Sequence, residues 1–441
     1  MSTEDIKDLL QYIKPDRLRK SERERSNAIE TESDRARIIH SSPFRRLQGK
    51  AQVFPLDSNV SVRTRLTHTL EVAQIGRFIA QKVLEKAKVL SNSSEHYVPF
   101  VNAVEVACLI HDIGNPPFGH FGETAIKNWA TEKSNKIKKT SHEWTSDLVE
   151  FDGNPQGFRL VSFLNGFDEH GSNLTATVLL STIKYPWSGV TRPHEKLGKK
   201  IGFYEFDRPT YEEACSRVDW EAGKVFPLAK LMEAADDIAY STSDLEDGLE
   251  KGLYHLADLA NAVDFETKDV KDNTFEAFVN FKSRLVHGAT EEAADNFIKL
   301  IEKILNGDEV KIVTRHEKFG SKIDLAKQFT KKHIYTDDSV EHIELAGLNI
   351  ISGLLALLDP LMELDEQAFL ALIDLDSDVI KRRDLFLHRR LSGRLPKRYI
   401  DKYRNSKISH EMTRRGHLIV DYISGMSDGY AQELYRKLSG Y

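Results

Sequence analysis

A histidine and an aspartate stand side by side at positions 111 and 112, at the end of an apolar run and directly before a string of turn residues, HDIGNPPFGHFGE (111–123). An imidazole and a carboxylate released together at a helix end can address one ion, and that pair suits borderline and hard divalent metals. Alone, the dipeptide is weak evidence, because such a pair is more often capped and solvated. Two other segments shift the balance. In RTRLTHTLEVAQIG (63–76), His68 lies at the start of an amphipathic helix, with Arg65 three residues before it on a neighbouring face. In LMEAADDIAYSTSDLED (231–247), Glu233, Asp236, Asp237, Tyr240, Asp244 and Asp247 crowd a helix otherwise made of Leu, Met, Ala and Ile. Asp236, Tyr240 and Asp244 recur at i, i+4 and i+8 and share one face. Carboxylates at that spacing repel, and burying them is costly unless they are paired or metal-bound. A solvated acidic stripe is the bland alternative; the small residues around it favour close packing and a site. His68, His111, Asp112 and Asp236 together form a set that binds one divalent ion with coordination positions left open. An open position lets the metal acidify a water or polarise a phosphoryl oxygen, which is phosphate-ester chemistry.

The elements that must position these residues are helices. Val72, Ile75, Ile79 and Val83 repeat at helical spacing, as do Ala103, Val106, Ala107 and Ile110, and residues 342–356 and 416–436 read the same way. Turn residues punctuate the chain at Gly114–Pro117, Gly153–Pro155, Tyr185–Pro186 and Gly393–Pro396. One segment, KIGFYEF (200–206), suggests a short strand. Repeats and low-complexity linkers are absent. The expectation is a mainly α architecture, with the charged stretch around 255–340 as a candidate separate lobe.

Composition narrows the class. Of the 441 residues 40% are hydrophobic, an ordinary share for a globular protein. The N-terminus MSTEDIKDLLQYIK is charged and reads as no signal peptide. No stretch approaches the roughly 20 apolar residues of a membrane span. The two cysteines, Cys108 and Cys215, have no metal or redox spacing, and point to a reducing compartment, hence the cytoplasm. The net charge of −6 argues against a surface coated by nucleic acid, without excluding a local basic site.

The order H…HD…D resembles the HD superfamily of metal phosphohydrolases, and the fuller wording resembles its dGTP triphosphohydrolase branch. The matching strings are ESDRARIIHSSPFRRLQGKAQVFPLDSNVSVRTRLTHTLEV (32–72), HDIGNPPFGHFGE (111–123), FDGNPQGFRL (151–160), IKYP (183–186) and EAADDIAYSTSDLED (233–247). Further echoes are ELAGLNIISGLL (344–355) and DYISGMSD (421–428). The resemblance runs nearly end to end. It implies a mainly α, HD-domain helical fold with additional helical lobes: one unit over 1–441, an HD core over about 60–250 and a C-terminal helical part over about 340–441. It also implies hydrolysis of dGTP, or of other dNTPs, to a deoxynucleoside and inorganic tripolyphosphate.

Carried over by position, the resemblance makes His68, His111, Asp112 and Asp236 ligands of one divalent ion, Mn²⁺ or Mg²⁺. Asp237 is the alternative to Asp236; the related SAM-and-HD-domain enzymes place Tyr at +4 and Asp at +8 from the ligand, which Asp236, Tyr240 and Asp244 match. His120 and Glu123 correspond to the family's catalytic pair, the carboxylate holding an imidazole that protonates the leaving 5′-oxygen. Read without the family, His120 is a loop residue that caps a helix and Glu123 a favourable first-turn carboxylate. Arg65, Asn154, Lys184 and Lys200 (or its neighbour Lys199) would oppose the triphosphate. Gln52 and Asp244 would hold the 3′-OH, and Tyr240 would lie under the ribose and crowd a 2′-OH.

One segment is left over. Residues 381–404, KRRDLFLHRRLSGRLPKRYIDKYR, hold ten Lys or Arg in 24 positions, interleaved with Phe386, Tyr399 and Tyr403. It reads as a solvated basic surface or as a polyanion site for the triphosphate, an effector nucleotide or single-stranded DNA. The family expectation adds a homo-oligomer and response to DNA or dNTP effectors. Another HD activity, such as a nucleotide monophosphate or cyclic-nucleotide phosphodiesterase, is the rival enzyme reading, and the IKYP and SDLED strings oppose it. A nucleic-acid-binding or regulatory protein is the rival from another class; the complete ligand set and the negative net charge oppose that one.

Overall fold

Thr64 opens the helix that carries two of the candidate residues. Its hydroxyl accepts from the backbone of Thr67 at 3.4 Å, while the Thr64 N–H donates to the Thr67 hydroxyl at 3.1 Å, a reciprocal cap. The helix then runs Arg65–Lys86, with Val72, Ile79 and Val83 buried at helical spacing and Ile75 half-buried. Gly76 faces Cys108: a Cβ there would lie 2.5 Å from the sulfur, so the glycine lets this helix close on the next, Tyr97–Ile110. That second helix is buried on every side from Pro99 to Ile110, the pattern of a core helix, and it ends at His111. A third, Pro227–Glu250, starts with proline in its first turn, where a missing N–H costs nothing, and packs against both.

The structure, a computed structural model, describes residues 2–20, 24–57, 59–89, 95–136, 144–166, 168–263 and 275–440. Among the described residues the fold is helical, as expected, and no strand forms; the sheet-like pairings are isolated bridges, Arg17 with Thr175 and Ala51 with Thr64. The strand suggested at 200–206 is a turn followed by the short 3₁₀ helix Glu205–Asp207. Its residues do not alternate in burial. Ile201, Phe203 and Tyr204 are all buried, and the segment is pinned by Gly202 N–H to the Trp187 carbonyl and by the Trp187 indole to the Lys200 carbonyl.

Two compact units emerge. The first comprises Met1–Ile113, Asn173–Pro186 and Thr210–Ile343. Its centre is the three helices above, joined by Asn27–Ile39 and by Phe275–Lys299 and Lys318–His333. The stretch around 255–340 therefore contributes packed helices to this unit; residues 264–274 of it lie outside the described residues. Buried charge is internally matched here: Arg17 reaches Glu30 and Asp34, and Asp34 also accepts from the Thr175 hydroxyl at 2.7 Å.

The second unit comprises Gly114–Ser172, Trp187–Pro209 and Glu344–Tyr441. Its interior is built around the Glu411–Ser424 helix, whose Asp421 accepts from Arg159 at 2.9 and 3.0 Å and from the Gln156 amide at 2.9 Å. A charged pair this deeply buried is tolerated because nearly every acceptor is used. The Asp338–Met362 helix, by length and composition, is apolar enough to cross a membrane, contrary to the expectation that no stretch would be. Leu354, Leu355, Leu358 and Leu361 on it are buried, and a core helix passes the same test.

Candidate functional site

The boundary between the units falls inside HDIGNPPFGHFGE, so the His-Asp pair belongs to the first unit and His120 and Glu123 to the second. In the first unit, His68 comes from the first turn of Arg65–Lys86, His111 and Asp112 from the end of Tyr97–Ile110, and Asp236 from Pro227–Glu250. His68, His111 and Asp112 each offer a ligand atom within 4.8 Å of the others. Asp236 Oδ1 lies 3.4 Å from Nε2 of both histidines. Asp237 points elsewhere, to Lys327. Of the Asp236-Asp237 doublet, Asp236 is the carboxylate that faces the two histidines.

These residues fit a divalent ion. Both ring nitrogens of His68 and Nε2 of His111 are buried without a hydrogen-bond partner, which is costly for polar atoms in a core. His111 Nδ1 lies 2.7 Å from the Cys108 carbonyl, an arrangement that puts the proton on Nδ1 and leaves Nε2 as a lone-pair donor toward Asp112 and Asp236. Two imidazoles and two carboxylates are a donor set for a borderline or hard dication.

The cations expected for phosphate sit against the carboxylates. Arg65 Nη1 bonds Asp112, and Lys184 Nζ bonds Asp236 Oδ2 at 2.9 Å. Burial pushes both carboxyls up. With no ion bound and His111 protonated, the charges of Arg65 and His111 on Asp112, and of Lys184 and His111 on Asp236, outweigh it and hold both well below the usual carboxylate range. Lys184 is itself buried, yet the Asp236 charge raises it above an ordinary lysine.

Farther along Pro227–Glu250, Tyr240 and Asp244 meet a residue that the sequence reading missed. The Tyr335 hydroxyl lies between the Tyr240 hydroxyl and the Asp244 carboxylate and bonds both. Burial pushes the Asp244 carboxyl up to about 6, the Tyr335 bond opposing. Tyr335 lies 95 residues beyond Tyr240, so no local spacing announces it. Gln52 is on a separate segment, its Oε1 buried with no partner.

In the second unit His120 opens the Gly119–Lys136 helix with its side chain 84% exposed. Its Nδ1 lies 3.0 Å from Glu123 Oε2. Glu123 is buried, and its other oxygen accepts the Gly153 N–H at 2.9 Å. Burial pushes Glu123 up, but His120, Lys200 and the Gly153 N–H outweigh it and hold the carboxyl below its usual range. The turn before His120 is left-handed twice over, Phe118 at φ 60° and Gly119 at φ 53°. Gly114 permits the approach of this loop to Gly153–Arg159: a Cβ on it would lie 2.1 Å from the Gly157 nitrogen. Asp152 caps that helix, accepting from the Asn154 N–H at 3.0 Å and the Asn154 amide at 2.5 Å, and pairs with Lys200 at 2.7 Å.

The basic segment also lies in the second unit, on Ser377–Arg382, Phe386–Ser392 and Lys397–Asn405. The expected interleaving of aromatics is only partly a surface feature. Phe386 is 57% exposed, but Tyr399 and Tyr403 are buried, because they fall on the inward face of their helix. Lys402 is buried too and bonds the Asp168 carbonyl.

The HD domain family model matches residues 65–170, which include His68, His111, Asp112, His120 and Glu123. Curated relatives match nearly end to end. The deoxyguanosinetriphosphate triphosphohydrolase of Yersinia enterocolitica serotype O:8 / biotype 1B is 33% identical over 92% of this chain and 93% of its own length. The protein of the same name from Enterobacter sp. (strain 638) is 34% identical over the same shares, and that of Yersinia pseudotuberculosis serotype O:3 is 33% identical. With that identity across more than nine-tenths of each chain, and with the HD match lying on the buried histidines, this chain belongs to the deoxyguanosinetriphosphate triphosphohydrolase family of HD-domain proteins.

Proposed function

We propose that the chain, acting as one functional unit over 1–441, hydrolyses dGTP to deoxyguanosine and inorganic tripolyphosphate with one divalent ion, Mn²⁺ or Mg²⁺. The observation that carries this reading is the cluster of His68, His111 and Asp112, with Asp236 3.4 Å from both histidines, whose buried and unpartnered imidazole nitrogens call for an ion. The names of the relatives supply the substrate.

His68, His111, Asp112 and Asp236 hold the ion. When bound, it polarises a phosphoryl oxygen and lowers the pKa of water. Arg65 and Lys184, on the ligand carboxylates, and Asn154 and Lys200, on Asp152, oppose the negative charge of the triphosphate. Water attacks the α-phosphorus, and the bond from that phosphorus to the 5′-oxygen breaks. His120 donates a proton to the departing 5′-oxygen, and Glu123 holds Nδ1 so that the other ring nitrogen faces the substrate. Gln52 and Asp244 hold the 3′-OH, the Asp244 carboxylate accepting its proton in a hydrogen bond, while Tyr240, bonded to Tyr335, closes the ribose face.

A polyanion partner, single-stranded DNA or an effector nucleotide, is part of the proposal for 381–404. Arg382, Arg389, Arg390 and Arg394 there carry no ion pair among the described residues, whereas Arg383 and Arg404 are paired to Asp365 and Asp374. The enzymatic reading is tested by incubating the protein with each dNTP and GTP in Mn²⁺ or Mg²⁺. Deoxyguanosine with tripolyphosphate is the expected product pair; preference for GTP would overturn the sugar assignment.

A further inference from the structure

Gln52 and Asp244, the two residues assigned to the 3′-OH, lie on separate segments, yet both are tied to one arginine that has no role in the reaction so far. Arg63 stands just ahead of the Arg65–Lys86 helix with its side chain 11% exposed. Its carbonyl accepts from Gln52 N–H at 3.4 Å, and Arg65 N–H donates to the Lys50 carbonyl at 2.8 Å, so the backbone on either side of the Ala51–Thr64 bridge is zipped together. Gln52 is thereby registered against Arg63 by main-chain bonds.

The other half of the tie is the guanidinium. Nε and Nη2 fork onto Glu71 at 2.9 and 2.8 Å. Nη1 reaches Asp247 Oδ1 at 2.7 Å and the Ser243 carbonyl at 3.4 Å, Nη2 also meets Glu246, and the Arg63 N–H donates to Asp247 Oδ2 at 3.1 Å. Lys282 shares Glu246 at 2.7 Å. Ser243 and Asp247 flank Asp244 on one turn of Pro227–Glu250, and the Ser243 hydroxyl donates to Asp244 Oδ1 at 3.2 Å. Asp244 and Asp247 are three residues apart and both buried, a spacing at which like charges repel. Arg63 neutralises Asp247, which leaves Asp244 to Tyr335. A bidentate, planar cation is needed for such a fork; lysine offers only a point charge.

We propose that Arg63 is the positioning residue of the sugar subsite, setting Gln52 and Asp244 in register with each other through the 63–65 bridge and the Asp247 ion pair. The inference rests on the assignment of Gln52 and Asp244 to the 3′-OH. A scaffold role alone would hold the helices together without affecting which sugar is chosen.

The test compares dGTP with its 2′,3′-dideoxy analogue, which lacks only the 3′-OH. kcat and KM for both, bound metal and melting temperature are measured in wild type, Arg63→Lys, Asp247→Asn and Asp244→Ala. Wild type should prefer dGTP by about tenfold or more, the usual value of a hydrogen bond to a charged group. Asp244→Ala should abolish the preference. Arg63→Lys and Asp247→Asn should each reduce it by at least about threefold, through a higher KM for dGTP, with KM for the analogue and metal content unchanged. Loss of kcat for both substrates alike, with the preference intact, would overturn the positioning role, because a smaller folded fraction alone gives that result. Preference abolished by Asp244→Ala but untouched by Arg63→Lys and Asp247→Asn would overturn it while sparing the sugar assignment. Preference surviving Asp244→Ala would overturn both.

Discussion

The backbone N–H of Phe118 donates to the carboxylate of Asp428 at 3.0 Å, across 310 positions of sequence. Phe118 is the non-glycine residue held left-handed directly before the His120 turn, a conformation that costs about 1–3 kcal/mol and survives only when its surroundings enforce it. Asp428→Ala removes the acceptor, and should cost about 1–3 kcal/mol of stability and lower kcat while bound metal persists. Asp428→Asn, which keeps an oxygen, should lose less. Melting curves beside kcat decide it; Asp428→Ala with wild-type values of both would show that the turn stands without this bond.

Asp244 sets a pH dependence. Its carboxyl ionises at about 6 in the folded chain against 3.8 ordinarily, because it is buried. As pH falls from 7 to 5 the carboxylate should take up a proton, and KM for dGTP should rise. Removing the Tyr335 hydroxyl, whose bond lowers the value, should move that midpoint upward in Tyr335→Phe. Stability follows the linkage sign: with a folded pKa above the unfolded one, the contribution is full below pH 3.8 and is lost as pH rises through 6. Asp244→Asn should therefore melt higher than wild type at pH 7.5, by at most about 3 kcal/mol, and show no such gain at pH 4. A gain of equal size at both pH values would rule out the raised carboxyl.

Metal binding follows from the unpartnered imidazoles. His111→Ala or Asp112→Ala should strip bound metal and nearly all turnover. In the wild type, added Mn²⁺ or Mg²⁺ should raise the melting temperature of the metal-stripped chain, since only the folded state gathers the ligands. Elemental analysis of the purified variants reads this directly, and full occupancy with full activity in either would refute the site.

The basic segment makes a separate claim. If 381–404 takes single-stranded DNA, binding should weaken steeply with salt as counterions are released. Glu at both Arg389 and Arg390 should weaken it further while leaving the melting temperature unchanged, because neither is ion-paired among the described residues. Salt-independent binding, or equal binding by the charge-reversed protein, would remove the segment from the function. With Tyr399 and Tyr403 buried, Phe386 is the aromatic of the three left for stacking.

What could be read from the sequence was what is local. The Arg65–Lys86 helix follows from the spacing of its apolar residues, and the grouping of His68, His111, Asp112 and Asp236 from residue types that make poor core without an ion. The choice of Asp236 over Asp237 needed the family's spacing, which the direction of Lys327 supports. Tyr335 and Arg63 were not legible as site-forming. Tyr335 acts across 95 positions, and Arg63 through main-chain bonds and partners 180 or more residues away, which no periodicity encodes. KIGFYEF misled because Ile201, Phe203 and Tyr204 are buried by tertiary packing, and among the described residues no strand lies beside them to pair. The tyrosines of 381–404 misled for a related reason: composition shows that aromatics are present, and helix phase decides whether they face out.

In the proposed reaction water attacks the α-phosphorus and the deoxynucleoside leaves with its 5′-oxygen. Hydrolysis of dGTP in ¹⁸O-water tests it most directly, with mass spectrometry of both products. The label should appear in tripolyphosphate and not in deoxyguanosine. His120→Ala should slow the reaction by about 10²–10⁴-fold, the usual range for a positioned acid, and leave the label where it was. Label in deoxyguanosine, or dGMP with pyrophosphate or dGDP with phosphate as the main products, would contradict the account even with the metal cluster intact.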